Sequence, residues 1–419
     1  MSARVERWIP VAHARAAGRR RGWLGRMPNL DLGLTLVTAA LCALGLIMVF
    51  VASAPSAYAD YGNPAFFFER QALWLALGVG GLVFCYRLDY HEWRRLAPYL
   101  TAVSMLLLVA VLVPHIGKEV QGARRWIGAG PIQIQPSVIA QFMVLVSGAV
   151  WLDRRRRQIG SLSQGIRPYA LQVGAVGALI ILEKDLGSTL VVGVLALGLL
   201  VLAGARLRHL LVAGVAGLGL GGLLILAEPY RVARMLAYLH PFAHAETSGY
   251  QAVQALYALG AGGVFGTGFS SPVPPAQWLP ESQNDFIFAV IGQDLGLIGT
   301  LLVLLLFGLF CWRGLKIARS APDRLGMLLA GGVTIWIVGQ ALINVGGVTD
   351  TIPSTGFPLT FISYGGSSLA LSLAATGILL NISARRRRAG EANARSDHRR
   401  RDRWPLHSGD GGGRGAAVD

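Results

Sequence analysis

The sequence predicts an all-α, polytopic membrane protein with about ten transmembrane helices. Three observations carry that reading. Of the 419 residues 53% are hydrophobic and only 14% charged, where a soluble domain has about 25% charged. The charges sit in short blocks between long uncharged runs, the alternation of loops and spans. Every second block is basic, which orients the chain.

A span needs about 20 apolar residues. On that measure helices fall at 32–53, 70–87, 96–114, 136–152, 167–183, 187–204, 208–227, 285–312, 325–346 and 357–382. The first ends in Val51-Ala52-Ser53-Ala54, which resembles a signal-peptidase site. Its apolar run exceeds the ~7–15 residues of a signal peptide, so it is read as a span. The eighth is long enough to tilt or carry a break.

Arginines precede helix 1 (Arg19 to Arg21, Arg26) and follow helix 2 (Arg94, Arg95), helix 4 (Arg154 to Arg157), helix 6 (Arg206, Arg208) and helix 10 (Arg385 to Arg388). Arg313, Lys316, Arg319 and Arg324 follow helix 8. By the positive-inside rule both termini are cytoplasmic. Residues 1–28 and 389–419 read as disordered basic tails flanking a membrane domain at 29–388, because they are rich in Arg, Ala and Gly and lack apolar periodicity.

A net charge of +16 would suggest nucleic acid in a soluble protein. Here basic blocks beside apolar spans are topology signals, and no nucleic-acid partner is expected. Cys42, Cys85 and Cys311 lie in or beside apolar runs with no metal or disulfide spacing and read as packing residues. The 54 glycines suit close helix packing.

Unusual polar residues gather in the loops assigned to the outer face. Between helices 3 and 4 stand Arg124, Arg125 and Trp126. Arginines on that side work against topology, and paired guanidiniums hold phosphate well. Glu183, Lys184 and Asp185 lie between two apolar runs with no room for a long loop. Charges so placed face a bundle interior or a wet cavity, or pair with one another. A large extracytoplasmic loop, 228–284, joins helices 7 and 8. It carries Arg231, Arg234, His240, His244 and Glu246, an amphipathic segment at 250–260, and then Glu281 with Asp285 just beyond. Asp294 falls near mid-membrane on an ~1.5 Å rise per residue. A run from Pro353 to Ser368 contains two prolines and Gly365-Gly366, with Ser363, Tyr364, Ser367 and Ser368, and Asn344 lies near it. Irregular backbone at that depth needs a protein or water lining.

These motifs, in this order, resemble the SEDS family of cell-wall proteins, which includes RodA, FtsW and SpoVE. The resemblance covers roughly residues 30–385 and rests on GARRW at 122–126, QPS at 135–137, KDLGST at 184–189, SGYQ at 248–251, LPESQNDFIFAVIG at 279–292 and ISYGGSS at 362–368. TGFPLTFISYGGSS is slightly closer to the FtsW/SpoVE branch. The resemblance implies a bacterial cytoplasmic-membrane enzyme with its site on the outer face, which polymerises glycan strands from lipid II by inverting glycosyl transfer, in elongation or division. It implies a class B penicillin-binding protein as partner, beside membrane lipid. A base would take the acceptor hydroxyl proton, and arginines or a cation would stabilise the departing diphosphate. No cofactor is expected, and a divalent cation is the one addition a diphosphate would call for.

The sequence departs from the family pattern in three places. Aligned on SGYQ, His244 stands where the family has the aspartate read as its catalytic carboxylate, with Glu246 two residues on. These two are the expected catalytic residues. Arg124, Arg125, Trp126, Lys184, Asp185, Arg231, Arg234, Glu281, Asp285, Asn344, Ser363, Tyr364, Ser367 and Ser368 are the expected substrate-binding residues, with no metal ligands. Val138 and Gln141 replace a family Glu–Lys pair at i and i+3, which share a helix face. Gln293 replaces a glutamate. These departures motivate two alternatives: a non-catalytic scaffold for a penicillin-binding protein, and a transporter of lipid-linked precursor using Glu183, Asp185 and Asp294.

Overall fold

A computed structural model describes residues 30–120, 122–129, 132–269 and 279–401. Residues 1–28 and 402–419, expected as tails, lie outside the described residues.

Among the described residues there are twelve α-helices: α1 (Leu32–Tyr61), α2 (Phe66–Arg87), α3 (Trp93–Leu112), α4 (Pro136–Arg154), α5 (Arg167–Leu182), α6 (Leu186–Leu202), α7 (Leu207–Leu226), α8 (Pro229–Leu239), α9 (Tyr250–Gly262), α10 (Ile287–Arg319), α11 (Arg324–Val348) and α12 (Gly366–Arg401). Nine are long and apolar enough to cross a membrane, and the shorter α6 is equally apolar. The chain is an integral membrane protein, and these ten correspond to the ten expected spans. The signal-peptidase-like Val51 to Ala54 lies inside the 30-residue α1, capped at its start by Asp31.

Three segments depart from the expected layout. The connection after α3 is an antiparallel meander of β1 (Lys118–Val120), β2 (Ala123–Ala129) and β3 (Ile132–Ile134). β-branched and aromatic residues compete locally with an otherwise helical chain. The last span starts at Gly366, not 357, because Pro353, Pro358 and the Gly365-Gly366 pair keep the preceding stretch irregular. Its helix then runs to Arg401, past residue 388, so the start of the expected tail is helical.

Close approach builds the bundle. α2 lies along α12, and a Cβ on Gly377 would fall 2.3 Å from the Leu82 carbonyl, one on Gly78 2.6 Å from Leu373 Cδ1. Small residues at such crossings let backbones meet where lipid supplies no hydrophobic drive. α4 and α11 are mostly buried, whereas α7 has only His209 buried and stands at the periphery.

α10 is broken at Gly296, whose φ of 66° and ψ of −161° are not helical. Residues 263–268 pack into the break: Thr267 and Gly268 N–H donate to the Gln293 and Asp294 carbonyls, and Leu297 and Ile298 N–H donate to Gly263 and Val264. A freed backbone group inside a membrane needs such a partner. Asp294 is 3% exposed there, with no partner for Oδ2.

The basic residues gather at one end. His91 bridges Asp89 and Asp323, Arg385 pairs with Asp89, Arg94 with Asp153, and Arg313 with Asp31. Asp89 is held at about 2: burial raises it, but the hydrogen bonds from His91 and the charge of Arg385 outweigh that.

The positions expected to depart from a Glu–Lys pair, Val138 and Gln141, lie in a neutral environment. Val138 is buried, and Gln141 Oε1 accepts from Trp336 Nε1 at 2.9 Å and Gln340 Nε2 at 2.7 Å. Thr360 donates to Gln340 at 2.8 Å, tying α4 and α11 to the irregular segment before α12. Gln141→Leu strands two donors at ~1–3 kcal/mol each. It should destabilise the fold by about 2–4 kcal/mol, read as thermal unfolding in detergent, with Trp336→Phe in the same chain recovering part of the loss.

Candidate active site

The end of the bundle opposite the basic cluster brings together β2, the α5–α6 turn, α8, the stretch before α10 and the stretch before α12. Asp285 is at the centre. It is partly buried, and its carboxyl is pushed up to about 7, first by burial and then by the charge of Glu281, with Arg234 and Arg125 pulling it back. A methyl group on Gly356 would lie 3.3 Å from Asp285 Oδ2 and 4.0 Å from Arg234 Nη1. Gly356 has a φ of +65°, so both its conformation and its bare surface favour glycine.

The scaffold of Asp285 is specific. Asn344 Nδ2 donates to the Asp285 carbonyl at 2.7 Å and to the Phe357 carbonyl at 2.6 Å. Ser363 Oγ donates to the Asn284 carbonyl at 2.6 Å and accepts from Leu359 N–H at 2.8 Å. Tyr364 N–H donates to Gln283, and the Glu281 carboxylate accepts from Asn284. Glu281 itself has a φ of 57°, a strained value for a residue with a Cβ. Asn344, Ser363 and the Tyr364 backbone, expected to touch substrate, therefore position the loop that holds Asp285.

The other expected residues divide similarly. Arg125 donates to the Glu183 and Lys184 carbonyls, closing the α5 end, and still acts on Asp285. Arg234 stacks 4.8 Å from the Tyr230 ring centroid, beside Gly356. Lys184 is exposed with a φ of 60°. Arg124 pairs with Glu119 along the meander, and Trp126 sits opposite Lys118 in β2. Arg231 is turned away: its guanidinium caps the Leu224 carbonyl at 2.8 Å. Asp185 is fully used as the N-cap of α6, accepting from Ser188 N–H and Oγ, Ser137 Oγ and Gln135 Nε2. Ser367 accepts from Gln135 N–H, and Ser368 is buried in the first turn of α12.

His244 and Glu246 lie on a turn after α8, where the His244 carbonyl closes the loop by accepting from Thr247 and Gly249. Glu246 is exposed. Neither is among the charged groups that act on Asp285. The carboxyl held near neutral pH among these charged groups is Asp285.

Residue types alone did not single out several contributors. Gln71 donates to the Ser363 carbonyl and accepts from Gly365 N–H, Arg70 meets the Tyr364 hydroxyl, and the Trp74 indole covers Gly366. Glu183 is 1% exposed with neither carboxylate oxygen partnered. Burial, then Asp185, push it up to about 8, so it is mostly protonated at neutral pH. Among the described residues no three His, Cys, Asp or Glu converge as a metal cradle.

This is the architecture of a multi-span membrane protein with a cluster of charged side chains at one end. Comparison with known proteins makes it specific. The family model FTSW_RODA_SPOVE, described as cell cycle protein, matches residues 32–388, and the chain belongs to that family. Stage V sporulation protein E of Bacillus subtilis is 40% identical over 354 residues, 84% of this chain and 96% of that one. A "Probable peptidoglycan glycosyltransferase FtsW" of Trichlorobacter lovleyi is 37% identical over 359 residues, 86% and 94% of the two chains. Among solved structures, a chain from work on how a peptidoglycan synthase complex coordinates polymerization and crosslinking superposes with a TM-score of 0.70 at 29% identity, covering 85% of this chain and 98% of that one. Rod shape determining protein RodA of Thermus thermophilus gives 0.62 at 29%, covering 85% and 97%.

Asp185→Ala removes the acceptor of four donors. At ~1–3 kcal/mol for a stranded buried donor and ~1 for a lost cap, the loss should be about 2–4 kcal/mol in thermal unfolding. Lys184→Ala, exposed and without that role, should leave unfolding within about 0.5 kcal/mol of wild type.

Proposed function

We propose that this chain polymerises peptidoglycan glycan strands from a diphosphate-linked lipid precursor, lipid II, by inverting glycosyl transfer. The observation that carries the reading is the setting of Asp285: a carboxyl raised to about 7, beside the Arg234 guanidinium, against a bare glycine backbone. A base works best with a pKa near the operating pH. Asp285 takes the proton from the acceptor sugar hydroxyl. The freed oxygen attacks the donor's anomeric carbon from the face opposite the leaving group, the bond to the diphosphate breaks, and the diphosphate departs with the electron pair. Arg234, Arg125 and Lys184 supply positive charge for the diphosphate, preorganised where negative charge develops. Glu281 keeps Asp285 basic and is itself held by Asn284.

The membrane is the bacterial cytoplasmic membrane. With the basic end inside, both termini are cytoplasmic and the cleft opens to the outer face. The partner is a class B penicillin-binding protein, consistent with the synthase complex that contains a structural relative. A non-catalytic scaffold remains the contrasting reading, because His244 replaces the family's acid.

Polymerisation of labelled lipid II by the purified chain, with its partner transpeptidase, decides between them. Asp285→Asn should lower the rate by about 10²–10⁴-fold, the usual worth of a general base, and His244→Ala by less than about threefold. Absence of polymer from the wild type would establish the scaffold.

The pH profile follows from the same carboxyl. Because Asp285 acts deprotonated and its value is raised to about 7, the rate should rise with pH through that region. Below it the rate should fall about tenfold per unit. A rate flat from pH 5 to 8 would remove Asp285 as the base. Arg234→Ala should cost about 10²–10³-fold with unfolding unchanged.

A further inference from the structure

At the basic end, far from the cleft, a groove of ≈ 640 Å³ opens between α10 and the end of the α12 span, lined by Gly308, Cys311, Trp312, Leu315, Lys316, Arg319, Ser320 and Arg386. Its composition is two-sided. Gly308, Cys311 and Leu315 form an apolar wall that continues up α10 into the exposed Leu301, Leu302, Leu305 and Leu309. Lys316, Arg319 and Arg386 form a basic rim. Trp312 is 54% exposed at the boundary between the two, with Lys316 Nζ 5.1 Å from its ring centroid.

The charge of that rim has no carboxylate to neutralise it among the described residues, although Lys316 also lies over the Trp312 ring. Several other basic side chains at this end are engaged. Arg94 pairs with Asp153, Arg313 with Asp31 and Arg385 with Asp89, while Arg324 donates to the Ala203 carbonyl and Arg155 to the Gln164 carbonyl. Among the described residues, Lys316, Arg319 and Arg386 meet no carboxylate, and their side chains donate no hydrogen bond. Topology alone needs positive charge at this end of a span. It does not require three cations without a carboxylate partner to converge on one groove with an apolar wall and an exposed tryptophan.

We infer that this groove is a binding site for an anionic phospholipid. Lys316, Arg319 and Arg386 hold the headgroup phosphate, and one acyl chain lies along Gly308, Cys311 and Leu315. A soluble anion would be served by the rim but not by the wall. An uncharged lipid would be served by the wall but would leave the rim unmatched. Trp312 sits at the depth where an indole prefers the headgroup boundary. The site uses no residue of the cleft and stands whether or not the cleft polymerises glycan.

The full chain is reconstituted in nanodiscs of mixed phosphatidylglycerol and phosphatidylcholine, and lipid retained after release into detergent is identified by native mass spectrometry. Wild type should retain phosphatidylglycerol preferentially. Lys316→Ala/Arg319→Ala/Arg386→Ala should lose that preference by a factor on the order of a hundred, from what three cations contribute near an anionic surface. A control removing equal charge elsewhere at this end, Arg156→Ala/Arg157→Ala/Arg208→Ala, should keep it. Gly308→Leu, whose new side chain enters open space, should reduce retention without altering charge. An unchanged preference in the triple variant, an equal loss in the control, unchanged retention in Gly308→Leu, or displacement of the lipid by millimolar inorganic phosphate would each overturn the site.

Discussion

The site depends on one constraint: inside a membrane an irregular backbone must find its hydrogen bonds within the protein. Residues 353–365 cannot form helix, because two prolines and a glycine pair interrupt them. Their polar groups are taken up by side chains of neighbouring helices. Asn344 of α11 reaches the Phe357 carbonyl, Gln71 of α2 spans the Ser363 carbonyl and Gly365 N–H, and Ser363 turns back on Leu359. Asn344 also holds the Asp285 carbonyl, and Ser363 the Asn284 carbonyl. The contacts that make irregular backbone tolerable are the contacts that place the central carboxyl. Rigidity at Asp285 follows from solving the backbone problem.

The carboxylates show how environment divides labour. Asp185 accepts four hydrogen bonds and caps a helix, so it is committed to structure. Asp89 is committed too, held low by His91 and Arg385. Asp285 and Glu183 are raised instead, because burial costs the charged form more than the nearby arginines return. The basic end pairs much of its charge and is electrostatically settled. The cleft end leaves charge unresolved, as expected where a charged substrate completes the site.

The spans were legible because apolar runs of about 20 residues have few alternatives. The break in α10 was anticipated from its length, and α9 at 250–262 from its amphipathic pattern. The β-meander was missed: seven residues of strand leave too short a period to outweigh a helical context. Within the site, residue type gave the cast but not the roles. Arg231 and Arg234 are three apart on α8, yet one caps α7 and the other faces Asp285. Gly356 carried a signal in retrospect, since a glycine between Thr355 and Phe357-Pro358 marks a turn that needs positive φ. Gln71, 292 residues from Ser363 in sequence, carried none.

At His244 the fold relies on backbone, not on the side chain. Its turn is held through its own carbonyl, a backbone group that any residue supplies. The turn's hydrogen bonds therefore do not depend on the side chain at 244, and His244 is not among the charged groups that act on Asp285. At Gln141, in the interior, the side chain is used. Where a Glu–Lys pair is lost together, a neutral amide meets the Trp336 and Gln340 donors and no buried charge is left uncompensated. The Gln141 Oε1 acceptor is satisfied, while its Nε2 is buried without a partner. The cleft retains the two properties that proton abstraction next to a diphosphate requires: a poised carboxyl, and positive charge fixed before the substrate arrives.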